Sequence, residues 1–111
     1  MSTDLEFQKD ADAFMEAVFH FVSEFDPDEV DSDLAMGVLT LEFADGTKCI
    51  MNRQTAAHQI WLAHGVTAWH FEKDPESGRW LDTKGRGSLP EVLSNVLSRQ
   101  LGRPIRISLE S

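Results

Sequence analysis

Asp12, Glu16, His20 and Glu24 recur at intervals of four, the spacing that lines side chains up on one face of an α-helix. Carboxylates in such a row suit a hard ion such as Fe3+, and the added imidazole suits Fe2+ as well. Asp26, Asp28, Glu29, Asp31 and Asp33 continue the acid beyond the helix. Eleven of the nineteen Asp and Glu residues fall in the first 33 positions beside a single base, Lys9, whereas residues 34–111 hold eight acids and nine bases. An exposed row leaves much of a cation's coordination sphere to water, so affinity would be modest and other divalent ions would compete. The pattern is equally that of a plain solvated helix face, and the residues alone leave both readings open. In either case crowded carboxylates repel, so the segment should cost stability at neutral pH that cations or salt restore.

The elements that carry this row are legible as period. Phe7, Ala11, Phe14, Met15, Val18, Phe21, Val22 and Phe25 gather on one side at about 100° per residue, predicting a helix over 4–25 that Pro27 ends. The acids from Asp26 to Asp33 then fall in a loop. From Gly37 the period becomes two: Leu39, Leu41 and Phe43 alternate with polar residues, Asp45-Gly46 reads as a two-residue hairpin turn, and 47–52 returns as a second strand. Further strands are predicted over 59–63, 68–72 and 79–82. Ser88-Leu89-Pro90-Glu91 has the spacing of a capping box, Leu89, Val92, Leu93, Val96, Leu97 and Leu101 form an apolar face, and Gly102 stands where a helix C-cap belongs. After Pro104, Ile105, Ile107 and Leu109 alternate as an extended tail, with Arg103 and Arg106 expected in solvent.

The order predicts an α+β two-layer sandwich of one domain, residues 1–111, with both helices on one face of an antiparallel sheet of five to six strands. Its other face is left to solvent or a partner. Because Ile60 and Leu62 should face the core, Trp61 turns outward beside Gln59, either as an interaction anchor or simply covered by its neighbours.

Composition narrows the function. A net charge of −9 opposes binding to nucleic acid or anionic lipid and points to cations or a basic protein surface. No apolar run reaches the roughly 18 residues of a membrane span, and no basic leader is present, which makes the cytoplasm the expected location. One cysteine, Cys49, excludes an internal disulfide and CxxC chemistry, and its strand phase with Met51 favours a buried thiol. Asp26-Pro27-Asp28 opens like a calcium loop but has Val30, Asp31 and Gly37 where an EF-hand needs a ligand, glycine and glutamate. His58, His64 and His70 lack zinc-hydrolase spacing. No nucleophile elbow, phosphate loop or dinucleotide fingerprint occurs.

Gly37-Val38-Leu39-Thr40-Leu41, Asn52-Arg53-Gln54 and His58-Gln59-Ile60-Trp61-Leu62-Ala63, set between an acidic first helix and a Leu-rich last one, resemble the bacterial frataxins over nearly the whole chain. The resemblance implies the sandwich fold and a non-enzymatic role in iron–sulfur cluster assembly. It implies weak, exchangeable iron (Fe2+/Fe3+) without a tightly bound cofactor, and docking on the cysteine desulfurase and the cluster scaffold, by a monomer whose oligomerisation with iron is left open. The family's acidic ridge is similar to Glu24, Asp26, Asp28, Glu29 and Asp31, to which Glu16 and His20 are added as candidate metal ligands. Its partner-docking sheet surface looks like Asn52, Arg53, Gln54, Gln59 and Trp61. The chain departs from its relatives at Phe19, His20 and Ser23, where they often carry further acids, and at Gln8, where some have His. Two other classes compete: a metal-independent acidic inhibitor of a basic partner, and an iron-oxidising or iron-storing protein. Against the last stands the lack of the Glu-x-x-His pairs of di-iron proteins.

Overall fold

The computed structural model describes residues 3–109. Helix α1 spans Asp4–Ser23 and begins at Thr3, whose hydroxyl accepts the Glu6 N–H at 3.1 Å. Its buried stripe is Phe7, Ala11, Met15, Val18 and Val22, with Phe14, Phe21 and Phe25 packed at the margin. Six strands follow: β1 (Val30–Ala35), β2 (Val38–Phe43), β3 (Lys48–Gln54), β4 (Gln59–His64), β5 (Thr67–Lys73) and β6 (Trp80–Asp82). They pair in sequence order as an antiparallel meander. Helix α2 spans Leu89–Leu101 with the expected capping box at Ser88 and Glu91 and a left-handed Gly102 at its end, φ +69°. Its apolar face shares one core with α1 and the inward residues of the sheet, so both helices cover the same sheet face.

Three expectations are corrected. Asp31 and Asp33 lie on an edge strand, β1, and not in a loop. Val30, Ser32 and Leu34 alternate inward there, but Ser32 interrupts the apolar rhythm and aspartate disfavours strands, which hides the element. The β2–β3 turn has three residues, because Phe43 and Thr47 close it and Gly46 takes the left-handed position at φ +85°. Arg103 is not in solvent: it forms two bonds to Glu29, at 2.6 and 3.1 Å, and lies 6.0 Å from the centre of the Phe25 ring.

The chain after α2 forms no strand. It is tied to the helix by Ser98, whose hydroxyl donates to the Ile105 carbonyl and accepts the Ile105 N–H, and by Ser94, which accepts the Ile107 N–H at 2.9 Å. Ile107 is thereby buried. Cys49 is buried on β3, and desolvation pushes its thiol up to about 12, so it stays protonated.

Among the described residues Asp82 is the one charged side chain of the core. Burial alone would raise its pKa, but the Arg86 guanidinium at 2.7 Å and the Arg86 N–H at 3.0 Å outweigh that and hold the carboxyl below its ordinary value. A lowered folded-state pKa stabilises the fold above the unfolded value, about 3.9, and this is lost as pH falls through the lower folded one. Asp82→Asn should therefore destabilise the protein by about 2 kcal/mol at pH 7, with the difference from the wild type shrinking below about pH 4; paired urea melts measure both.

Candidate functional site: an acidic ridge and an open sheet face

The exposed end of α1 presents Glu16, His20 and Glu24, and the turn after it adds Asp26 and Asp28. The row of four is broken at its start, because Asp12 takes Nη1 of Arg53 between its two oxygens, at 2.5 and 2.6 Å. Asp26 is partly spent on its own turn: one side-chain oxygen accepts the Asp28 N–H at 2.9 Å. Glu29 is held by Arg103, whose hydrogen bonds lower its pKa against a smaller effect of burial. Asp31 points to the outer face of β1 opposite Glu42, with Lys48 next in the row. Among the described residues no three His, Cys, Asp or Glu side chains come together in a group that could hold a metal ion. The ridge is a line of separate oxygen donors, which fits a loosely bound, largely hydrated cation and not a chelated one.

The outer face of the sheet is built from the strand positions opposite in phase to the core. Asn52 and Gln54 on β3 stand beside Gln59 and Trp61 on β4, where Asn52 faces Trp61 and Gln54 faces Gln59 across the ladder. The Gln54 amide donates to Asn52 Oδ1 at 3.1 Å, and Trp61 Nε1–H donates to Gln59 Oε1 at 2.7 Å, while Gln59 donates to Glu72 at 2.9 Å. His70 on β5 stacks on the Trp61 indole, with centroids 4.3 Å apart and planes 13° from parallel. The indole is thus braced flat and still 36% exposed, a preorganised apolar surface. Arg53 does not join this face. It is in phase with Cys49 and Met51 and points to the helix side, so four of the five expected docking residues are brought together and the fifth pairs with the ridge.

The family model described as "Frataxin-like domain" matches residues 1–103. The chain belongs to the frataxin family. It is 43% identical over 105 residues to the "Iron-sulfur cluster assembly protein CyaY" of Thioalkalivibrio sulfidiphilus, covering 94% of this chain and 98% of that protein. Among solved structures it is similar to frataxin from Psychromonas ingrahamii, with a TM-score of 0.86 and 30% identity over 96% of this chain and 99% of that one. A trimeric frataxin from the yeast Saccharomyces cerevisiae, complexed with ferrous iron, aligns with a TM-score of 0.73 and 25% identity over 85% of this chain and 87% of its own. The frataxin resemblance and the two-layer sandwich expected from the sequence are both borne out.

Several exposed residues of this sheet face are not among the docking residues expected from the sequence. Val38 and Ile50 are 37% and 38% exposed and widen the patch around Trp61; their strand phase, opposite to Leu39 and Cys49, is the signal that could have found them. Met36 is fully exposed at the tip of the β1–β2 turn. It takes the left-handed conformation at φ +54°, followed by Gly37 at φ +78°, where only glycine is free of steric strain. No local signal marks a methionine for that position. Since its side chain packs on nothing, Met36→Gly should stabilise the isolated protein by about 0.5–1 kcal/mol, read as a higher urea midpoint. A lower midpoint would mean that the methionine side chain supports the turn.

Proposed function

We propose that this frataxin-family protein is a non-enzymatic, cytoplasmic regulator of iron–sulfur cluster assembly, acting as one domain over residues 1–111. In this reading the ridge attracts a basic surface of the cysteine desulfurase, and Asn52, Gln54, Gln59 and Trp61 make the short-range contact with the scaffold. The carrying observation is the presence of two surfaces on one small domain: carboxylates without a cationic partner among the described residues along the end of α1 and β1, and a braced, exposed indole within a rim of side-chain amides. Charge would set the rate of encounter and its salt dependence, while the sheet face would set specificity. Arg53 enters as a positioning residue that orients Asp12 at the head of the ridge.

Iron is cargo in this reading. Glu16, His20, Glu24, Asp26, Asp28 and Asp31 would supply one or two ligands at a time, with water completing the sphere, so binding would be weak and exchangeable, and any iron-driven association of the monomer would follow from sharing those open positions. Glu29 would contribute only by releasing Arg103. The absence of a three-ligand cluster among the described residues favours one rival reading, in which the ridge is a metal-independent charge mimic that covers a basic partner.

Two measurements test this. With purified desulfurase and scaffold, Trp61→Ala should weaken docking on the scaffold side by about tenfold or more and leave the fold intact, whereas Glu24→Gln combined with Asp28→Asn should slow association and flatten its salt dependence. Docking unaffected by Trp61→Ala would remove the sheet face from the interface. An anaerobic Fe2+ titration followed by amide NMR should broaden Glu16 to Asp31 before Asn52 to Ala63. No broadening up to millimolar iron, with docking unchanged by chelator, would replace the iron reading with charge mimicry.

A further inference from the structure

The chain is strongly acidic, yet one cleft is lined by cations and no carboxylate. It is a hollow of about 300 Å³ between β4, β5 and α2, at the low end of the roughly 300–1,000 Å³ typical of small-ligand sites. Val92, Asn95, Val96 and Arg99 reach it from one stripe of α2, at the three- and four-residue spacing of a helix face. Trp69 of β5 forms an aromatic wall, and Arg86 lies across it, its guanidinium 5.5 Å from the ring centroid.

The two arginines are in different states. Arg86 is locked: Nε and Nη2 grip Asp82, Nη2 also donates to the Ala68 carbonyl at 2.9 Å, and Nη1 makes no hydrogen bond with the described residues. Arg99 is exposed and makes neither a hydrogen bond nor an ion pair with the described residues. A fixed guanidinium with a spare donor, a second and unengaged one in the same lining, and Trp69 with two valines beside them form a set that recognises a flat anion. Taken singly, Arg86 is a loop staple and Arg99 a cation balancing the helix C-terminus. What neither role explains is that both line one cleft with Trp69.

The larger electrostatics agree. Helix α1 crosses the sheet, its first half beside β5 and β6, where Asp10 pairs with Lys73, and its acidic end beside β1 at one edge of a sheet ordered β1 to β6; the cleft lies at β4 and β5, away from that edge, in the part of the chain where bases slightly outnumber acids. Asp45, which approaches α2 through Gln100, is already occupied by that amide and by the Thr47 N–H at 2.9 Å.

We propose that this cleft binds a small anion bearing a carboxylate or phosphate group on a flat apolar body, held by Arg86 and Arg99 beside Trp69. The test is a nitrogen-15 NMR titration that follows the Trp69 indole and the arginine Nε signals. The probes are phenyl phosphate, benzoate and inorganic phosphate, with sodium chloride at matched ionic strength as control. Saturable shifts at Trp69, Arg86 and Arg99 with a Kd of about 10 mM or tighter are expected for at least one ring-bearing probe, and inorganic phosphate should bind more weakly. Preference for phenyl phosphate or for benzoate identifies the anionic group. Arg99→Gln should weaken binding by about tenfold with an unchanged urea midpoint. Shifts that rise linearly, are reproduced by chloride, or survive Arg99→Gln would overturn the site.

Discussion

Both helices pack on the same face of the sheet, and that single constraint decides what every strand residue is for. A two-layer sandwich has one core, so strand phase alone sends Leu39, Leu41, Cys49, Met51, Ile60, Leu62 and Phe71 inward. The alternate positions are then left uncovered whatever their polarity. Val38, Ile50 and Trp61 are exposed for this reason, and their side chains remain apolar although solvent-facing positions are where polar residues are free to occur. The braces around Trp61, from Gln59 and His70, keep a large ring flat on a surface that gives it no core to enter.

The same architecture explains how so acidic a first segment stays attached to the rest. Asp4, Asp10, Asp12 and Glu29 each meet a partner more than forty residues away: His58, Lys73, Arg53 and Arg103. Pairs this exposed contribute at most about 1 kcal/mol each, so they are not what holds the fold together. Their effect is selection. Arg53, Lys73 and Arg103 neutralise Asp12 and Asp10 on α1 and Glu29 beside β1, while His58 hydrogen-bonds Asp4; Glu6, Glu16, Glu24, Asp26, Asp28, Asp31 and Asp33 are left without a cationic partner among the described residues. The negative field is thereby concentrated on the end of α1 and the edge strand.

How much of this could be read from sequence follows from the length of the signal. Both helices announce themselves over many turns, and the Ser88 capping box and Gly102 fix the bounds of α2 nearly to the residue. The strands from β2 to β5 carry two or three inward apolar residues each, and the short β6 carries Trp80. β1 does not, since Ser32 replaces the middle one and two aspartates occupy the outward positions, so a period-two pattern reduces to Val30 and Leu34. Tertiary partners were hidden for a different reason. That Arg53 turns to Asp12 and Arg103 to Glu29 depends on how α1 and the tail lie across the sheet, which no local pattern encodes. The phase of Arg53 with Met51 is the signal that could have separated it from Asn52 and Gln54, with which it is grouped among the expected docking residues.

Three unfavourable features of the molecule fall together on its surface, apart from the left-handed His58, φ +52°, between β3 and β4. The core is closed, and no buried side-chain nitrogen or oxygen among the described residues lacks a hydrogen-bond partner. By contrast, Glu24 stands at the C-terminal end of α1, where the helix dipole disfavours a negative charge, and Asp31 faces Glu42 across a ladder, where like charges repel. Met36 sits strained at the turn joining that edge strand to the open face. Each of these could be relieved by one substitution without touching the core, so nothing in the fold requires them. Stability set aside along one continuous border, from the end of α1 across β1 to the face of the sheet, is what a surface selected for contact would look like.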